Sequence, residues 1–200
     1  MRFDRYTAQA REDFGRARVK QIFGRLLSLL RQERDQLLSL QEVRALLRPT
    51  SETYRGLQTV PIARIVGSEG RYQDFDRTFL PRHDHLKGRW VRVDAAHHQQ
   101  LILPPVTLYE IGGVYFVRDG NHRVSVGRLQ GVEFIDAEVI SLASRLRLSP
   151  AMSVERLRAA VIDLEKREFF RQTRLERYRP SVRLDFSVTG RYDEIIRHIN

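Results

Sequence analysis

The sequence predicts an α+β fold, in which a small mixed sheet lies between helical segments at both ends of the chain. Three observations support this prediction. Residues 8–47 and 149–179 place apolar side chains at the three- and four-residue steps of amphipathic helices. Between them, residues 57–142 contain alternating and β-branched runs that are typical of strands. Gly112 and Gly113 join two of these runs, and paired glycines suit the positive φ angles of a tight hairpin turn.

The composition of the 200 residues limits the chemistry that they can perform. They contain no cysteine, which excludes a disulfide framework, a thiolate metal site and a cysteine nucleophile. No apolar run reaches the roughly 18 residues that a membrane-spanning helix needs. The first residues also lack the apolar core of a signal peptide. We therefore expect a cytoplasmic protein with no membrane partner.

The net charge of +10 is concentrated at the two ends of the chain. Residues 1–56 hold twelve basic and seven acidic groups, residues 57–142 hold ten of each, and residues 143–200 hold thirteen and eight. We interpret these segments as a helical amino-terminal extension, a central domain, and a basic helical extension that ends in a strand and a short helix. A basic balance of this size favours a polyanionic partner such as DNA, although a genome-wide arginine bias explains it equally well.

Each helical extension leaves two interpretations open. Residues 8–47 have no internal proline, so they form one long helix or two helices with a break near residues 31–36. Their apolar stripe packs on the central domain or supports a homodimer. In the second extension Arg167, Arg171 and Arg174 fall on one face with aromatic residues between them, a pattern that suits a nucleic-acid backbone. A solvated helix with ion pairs is the alternative.

The stretch VYFVRDGNHRVSVGRLQG, residues 114–131, predicts a strand, a tight turn and a helix in direct succession. Asp119 and Gly120 turn the chain, so that the amides of residues 121–124 begin the helix. The first amides of a helix have no intrahelical acceptor, and they lie at the positive end of the helix dipole. Such a cluster of amides is a binding site for phosphate.

The side chains of this turn allow a functional and a structural interpretation. His122 and Arg123 supply donors for a phosphate, the histidine with a charge that can vary near neutral pH. In the structural interpretation, Asn121 caps the helix and Arg123 pairs with Asp119 or Glu138. The residues alone do not decide between the two.

The four histidines around residues 83–98 do not follow a zinc-binding pattern. We expect Asp84 to cap a helix that places Leu86, Trp90, Val93 and His97 on one face, with His97 as a hydrogen-bonded core residue. No structural metal is expected at these histidines.

The segment PPVTLYEIGGVYFVRDGNHRVSVGRLQGVEFIDAEVI, residues 104–140, resembles the ParB/sulfiredoxin superfamily. The order of predicted elements across residues 57–142 is similar as well. This resemblance implies a ParB/sulfiredoxin-like mixed sheet whose turn holds the phosphates of ATP, CTP or ADP. Gly120, His122 and Arg123 match the phosphate-binding turn. Sulfiredoxins place their catalytic cysteine where Asn121 stands, so the repair of sulfinic acids is excluded.

The resemblance also implies candidate catalytic residues. Amino-acid kinases of the superfamily carry a similar Asp-Gly-His-His-Arg turn, which makes Asp119 a candidate base and a candidate ligand of Mg²⁺. In this fold the loop VGSEGRYQDF, residues 66–75, faces the turn, so Glu69 becomes a second catalytic candidate, while a merely solvated loop is the alternative. Asp74 and Asp76 also offer carboxylates to a metal. The candidate ligand-binding residues are Gly120, Asn121, His122, Arg123, Ser125 and Arg71.

Two classes of function follow from the residues and the resemblance. The first is a nucleotide-binding protein, with Mg²⁺-dependent hydrolysis of the nucleotide or phosphoryl transfer as its chemistry. The alternative is a DNA-binding or nuclease module of the ParB type, in which the arginine-rich extensions supply affinity that falls steeply with salt.

Overall fold

The computed structural model describes residues 2–30 and 36–199. These parts of the chain contain seven α-helices and six β-strands, which confirms the predicted α+β class. The helices are α1 (Arg2–Leu30), α2 (Leu40–Leu47), α3 (Lys87–His98), α4 (Asn121–Leu129), α5 (Val154–Thr173), α6 (Leu175–Tyr178) and α7 (Arg191–Ile199). The strands are β1 (Leu38–Ser39), β2 (Glu52–Pro61), β3 (Ile65–Ser68), β4 (Val106–Ile111), β5 (Val114–Asp119) and β6 (Phe134–Leu142). No described helix is long and apolar enough to cross a membrane.

The strands form one mixed sheet in the order β1-β3-β5-β4-β6-β2. Strands β4 and β5 are the predicted hairpin, in which Ile111 pairs with Val114. The intervening Gly112 and Gly113 have φ angles of 61° and 92°, so the prediction of a glycine turn is confirmed. Strand β3 runs parallel to β5, and β6 runs parallel to β4. This arrangement brings the carboxyl-terminal ends of β3 and β5 side by side.

The single strand predicted near residues 57–67 is two strands in different parts of the sheet. Strand β2 pairs with β6 at one edge, whereas β3 lies between β1 and β5. A 3-10 turn over Ile62–Arg64 separates them. Pro61 ends β2 because proline has no amide hydrogen for a continuing ladder. Both halves are β-branched, so the sequence pattern did not reveal the break.

The central strands of the sheet are covered on both faces, and alternate side chains of a strand point to opposite sides. Val117 of β5 belongs to a core cluster with Val124 of α4, whereas Phe116 belongs to a cluster with residues of α2 and α5. A third cluster joins α1 to α3 and includes Phe14 and Trp90, whose rings meet edge to face. Helix α4 is therefore held between the sheet and the α1–α3 pair.

The amino-terminal helix packs on the rest of the chain over only part of its length. Ala10, Phe14 and Ala17 of α1 are buried. The predicted apolar stripe is exposed between Val19 and Leu30, so its predicted packing on the central domain is wrong there, whereas Leu37, Leu40 and Val43 further along the stripe are buried. Its exposed residues are Val19, Ile22, Phe23, Leu26, Leu27 and Leu30. Strand β1 separates α1 from α2, and residues 31–35, where most of the predicted break falls, lie outside the described residues.

Helix α3 begins one turn later than the sequence predicts. A 3-10 turn over Asp84–Leu86 precedes it, and the Asp84 carboxylate accepts a hydrogen bond from Arg18 at 3.1 Å instead of capping the helix. Trp90 is buried as predicted, but His97 is exposed. The prediction of His97 as a core histidine is therefore wrong.

The carboxy-terminal segment ends in a helix without the predicted strand. The described residues 182–186 pair with no strand. These residues are held instead by Tyr192 of α7. Tyr192 is buried and donates its hydroxyl hydrogen to the Leu184 carbonyl oxygen at 2.7 Å. The Tyr192 ring also packs against Phe186 and Phe169. Ser153 caps α5 as one of the two predicted alternatives.

Candidate functional site

A cavity of about 500 Å³ lies at the amino-terminal end of α4. Three parts of the chain enclose it: the loop after β3, helix α3 with the segment that follows it, and the turn between β5 and α4. The predicted site residues that line it are Glu69, Arg71, Asp119, Gly120, Asn121, His122 and Arg123. The structure therefore brings the loop and the turn together, as the resemblance implies.

The turn depends on a glycine at position 120. Gly120 has a φ angle of 103°, and a Cβ atom there would lie 2.5 Å from Val106 Cγ1. Both facts exclude an ordinary side chain. The Val124 amide donates to the Gly120 carbonyl oxygen at 3.0 Å, so its predicted availability to a ligand is wrong. The amides of residues 121–123 lie at the helix start, where no intrahelical acceptor exists.

Arg123 fastens this turn to the segment that precedes β4. Its guanidinium donates to Asp119 Oδ2 at 2.5 Å, to the Pro105 carbonyl oxygen at 2.8 Å and to the Pro104 carbonyl oxygen. The Arg123 side chain is only 15% exposed. The structural interpretation, pairing with Asp119, is therefore correct, and Glu138 is not the partner. Arg123 lines the cavity with most of its donors already occupied.

Two polar side chains at the helix start have unsatisfied atoms. Asn121 is 6% exposed and His122 is 5% exposed. Asn121 Oδ1 and His122 Nδ1 are buried and have no hydrogen-bond partner among the described residues. A buried polar atom without a partner costs about 1–3 kcal/mol. Such atoms beside a cavity indicate a place where a ligand can complete the hydrogen bonding.

The His122 imidazole is neutral at neutral pH in this environment. Its pKa is lowered from 6.5 to about 4, mainly by burial and further by the positive charges of Arg89 and Arg71. Its ring packs edge-on against Phe75 with 5.5 Å between the ring centres. This lowered pKa contradicts the expectation of a charge that varies near pH 7.

Arginine is the prevailing charged residue of the cavity. Four arginines line it, against the two carboxylates Glu69 and Asp119. Arg71 pairs with Asp74 at 3.2 Å, and Arg118 lies over the Tyr109 ring. The others are Arg89 and Arg123. The lining thus favours an anionic ligand.

Arg89 and Arg118 are functional candidates that the sequence reasoning missed. The Arg89 side chain is exposed and makes no hydrogen bond or ion pair with any described residue. It lies one helical turn before Val93, which also lines the cavity. The available signal was a basic residue on the polar side of α3, but the sequence did not show which elements this side faces.

Ser125 and Asp76 do not line the cavity, and their predicted site roles are not supported by their positions. Ser125 is fully buried and accepts a hydrogen bond from Trp90 Nε1 at 2.9 Å. Asp76 is buried, and its Oδ1 accepts hydrogen bonds from the amides of Thr78 and Leu80. Both side chains therefore organise the surrounding structure.

The predicted Mg²⁺ site at Asp119 has few protein ligands. Within the described residues, three metal-ligating side chains come together only at Asp13, Asp94 and His98. Mg²⁺ is commonly bound by one or two carboxylates together with phosphate oxygens and water. Asp119 fits that mode only as one ligand of a metal that arrives with a phosphorylated ligand, so this metal stays a prediction.

The basic carboxy-terminal helix keeps only part of the predicted nucleic-acid pattern. Arg167 and Arg171 are exposed on α5, but Arg174 follows the helix in a left-handed conformation with φ of 53°. Phe169 is buried in the core and offers no ring to a base. Arg167 lies 3.6 Å from Asp163, as the alternative of a solvated helix with ion pairs predicts.

The fold and the site define an α+β protein with an arginine-lined cavity at a helix start. No family model matches the chain, and no curated protein matches it. One similar solved structure is sulfiredoxin from Arabidopsis thaliana, with a TM-score of 0.32 and 16% sequence identity. The match covers 42% of this chain and 82% of that chain. A likeness this weak carries no argument about family or activity, so the ParB/sulfiredoxin assignment stays a prediction.

Proposed function

We propose that this chain binds a phosphorylated ligand, a nucleotide such as ATP, CTP or ADP, in the cavity at the start of α4. One observation carries the proposal. Asn121 Oδ1 and His122 Nδ1 are buried without a partner in the described structure, and both residues face an arginine-lined cavity. A ligand that hydrogen-bonds to them relieves the cost of leaving them unsatisfied.

The chemistry of these two side chains suits a ligand with both donors and acceptors. A neutral imidazole donates from one ring nitrogen and accepts at the other, so His122 Nδ1 can take either role. The Asn121 carboxamide presents an oxygen or, after rotation, an amino group. The amides of residues 121–123 add donors in a fixed arrangement at the positive helix end.

The phosphate groups are the part of the ligand that the charges favour. Arg89 is exposed at the cavity. Among the described side chains, Arg71 pairs with Asp74 and Arg118 lies over the Tyr109 ring, and a ligand can replace or share both contacts. Guanidinium groups form strong paired hydrogen bonds with phosphate oxygens. Arg123 contributes mainly by holding the turn in place.

The size and walls of the cavity favour a nucleotide over inorganic phosphate. Its volume of about 500 Å³ lies within the range of small-molecule sites. Val93, Leu103 and Pro104 form an apolar part of the lining. This part suits the base of a nucleotide whose phosphates contact the arginines.

Asp119 and Glu69 are the residues that would hold Mg²⁺ brought by such a nucleotide. Bound Mg²⁺ would supply charge neutralisation at the phosphate oxygens. Asp119 is exposed and keeps one carboxylate oxygen on Arg123. Asp119→Asn preserves that acceptor while removing the charge. Loss of Mg²⁺-dependent nucleotide turnover in this variant, with unchanged unfolding stability, is the expected result for a catalytic role.

Calorimetric titration with ATP, CTP, ADP and inorganic phosphate tests the proposal. Arg89→Gln should weaken nucleotide binding by about 1.5–3 kcal/mol, the contribution of a hydrogen bond to a charged group. Arg92→Gln is the matched control, because Arg92 is exposed on the same helix but does not line the cavity.

Two results would contradict the proposal. One is the absence of binding by every nucleotide at millimolar concentration. The other is an equal affinity of Arg89→Gln and Arg92→Gln for the nucleotide that the wild type binds. If inorganic phosphate binds as tightly as the nucleotides, the site recognises the phosphate group alone. The apolar wall then contributes nothing to ligand binding.

A further inference from the structure

A cluster of metal-ligating side chains lies between α1 and α3, outside the nucleotide cavity. It consists of Asp13, Asp94 and His98. Asp13 is 2% exposed and Asp94 is 0% exposed, while the His98 side chain is 17% exposed. One ligand atom from each residue lies within 4.8 Å of the other two. None of the three lines the cavity at α4.

One oxygen of this cluster accepts no hydrogen bond within the described residues. Asp94 Oδ2 is buried and receives no hydrogen bond from any described residue. Its neighbour His98 Nε2 lies 3.4 Å away and instead bonds Asp13 Oδ2 at 2.8 Å. Gln130 Nε2 donates to Asp94 Oδ1 at 2.8 Å and to Asp13 Oδ2 at 3.2 Å. The unsatisfied oxygen therefore points to a missing positive partner.

The charges of the cluster are incompletely balanced. Arg16 pairs with Asp13 Oδ1, but its side chain is largely exposed. Two buried carboxylates beside one histidine form a site whose charge a divalent cation would neutralise.

We propose that Asp13, Asp94 and His98 bind one zinc ion that fastens α1 to α3. Zinc bonds of about 2.1 Å place tetrahedral ligand atoms about 3.4 Å apart. The distance of 3.4 Å from His98 Nε2 to Asp94 Oδ2 already has this value. The 2.8 Å hydrogen bond from His98 to Asp13 opens when the ion enters. A water molecule completes the coordination, because Gln130 presents its amide nitrogen to both carboxylates.

The donor set favours zinc over the common hard cations. Ca²⁺ takes six to eight oxygen ligands and Mg²⁺ takes an octahedron of oxygens, mostly water and phosphate. Imidazole nitrogen suits Zn²⁺ and other transition metals, and Zn²⁺ is usually four-coordinate. A buried group of two carboxylates and one imidazole offers too few oxygens for Ca²⁺ and excludes the water shell of Mg²⁺.

The test is a titration of the chelator-treated full chain with Zn²⁺ and, for its visible spectrum, Co²⁺. Wild type is expected to bind one ion per chain and to gain thermal stability from it. His98→Gln retains a donor for Asp13, and Asp94→Asn retains shape, so both variants should fold. Each should weaken metal binding at least about 100-fold, more than loss of an outer-shell partner costs. His97→Gln, the neighbouring exposed histidine, should bind as wild type does.

Several results of these titrations would contradict the proposal of a zinc site. Zinc binding by His98→Gln and Asp94→Asn with wild-type affinity would assign the ion to exposed histidines and overturn the proposal. A wild type that binds no Zn²⁺, or shows no change in melting temperature and no Co²⁺ absorption, would also overturn it. Equal binding of Mg²⁺ or Ca²⁺ would refute the choice of zinc. Circular dichroism of each metal-free variant checks that the loss is not one of folding.

Discussion

His122 makes the stability of this protein depend on pH in a defined window. Its pKa is lowered to about 4 in the folded chain, against 6.5 for an unperturbed histidine. As pH falls below 6.5, the unfolded chain binds a proton that the folded chain does not. Stability contributed by the neutral form is therefore complete above pH 6.5 and is lost as pH falls towards 4.

The size of this effect follows from the difference between the two pKa values. A difference of about 2.5 units corresponds to about 3 kcal/mol once both states have titrated. At pH 5, where most of the unfolded chain but little of the folded chain is protonated at this residue, the loss is about 2 kcal/mol. The residue is 5% exposed, so solvent screens the effect little.

Urea unfolding of wild type and His122→Gln at pH 7 and pH 5 measures this loss. Glutamine fills much of the same space but does not titrate, so its stability should fall less between the two pH values, by about 2 kcal/mol. His97→Gln is the control, since His97 is exposed. Equal acid sensitivity of wild type and His122→Gln would refute the assignment of a neutral, desolvated imidazole at the cavity.

Three further predictions concern the turn and the basic helix. Gly120→Ala should lower the free energy of unfolding by at least about 2 kcal/mol, because the residue has a positive φ angle and its Cβ atom would clash with Val106. Gly113→Ala should lower it by only about 1 kcal/mol, because Gly113 also has a positive φ angle but its Cβ atom would meet no neighbour. Equal losses in urea unfolding would argue against the clash. Arg123→Ala should cost about 2 kcal/mol of stability by the same assay, and an unaltered midpoint would show that its three hydrogen bonds do not hold the turn. If the chain binds DNA in gel shifts at low salt, Arg167→Glu with Arg171→Glu should weaken that binding, and a wild type that binds no DNA contradicts the DNA-binding alternative.

Local sequence signals determined the part of the site that is continuous in the chain. The glycine pair predicted the hairpin, and Asp119 with Gly120 predicted the strand, turn and helix that follow. These predictions succeeded because turn conformation depends on the residues in the turn itself. The burial of Asn121 and His122 was not visible in the same residues, since it depends on the loop and helices packed around them.

Side-chain partners distant in sequence were beyond these local signals. The carboxylate of Asp13 meets His98 across 85 positions, and the sequence reasoning expected the neighbouring His97 to be the buried histidine. The helical period shows which residues share a face, but consecutive residues differ by only about 100° around the helix axis. A small error in the orientation of the helix therefore decides which of two neighbouring histidines faces the interior.

The sequence by itself determined the α+β class, the hairpin, the glycine turn that precedes α4 and the absence of cysteine chemistry. Only the tertiary structure decided that Arg89 faces the cavity, that Arg123 is bound to its own turn, and that the apolar stripe of α1 is half exposed. The physical reason is that backbone conformation responds mainly to neighbouring residues. Burial, charge balance and hydrogen-bond completion are settled by elements that meet only when the whole chain packs.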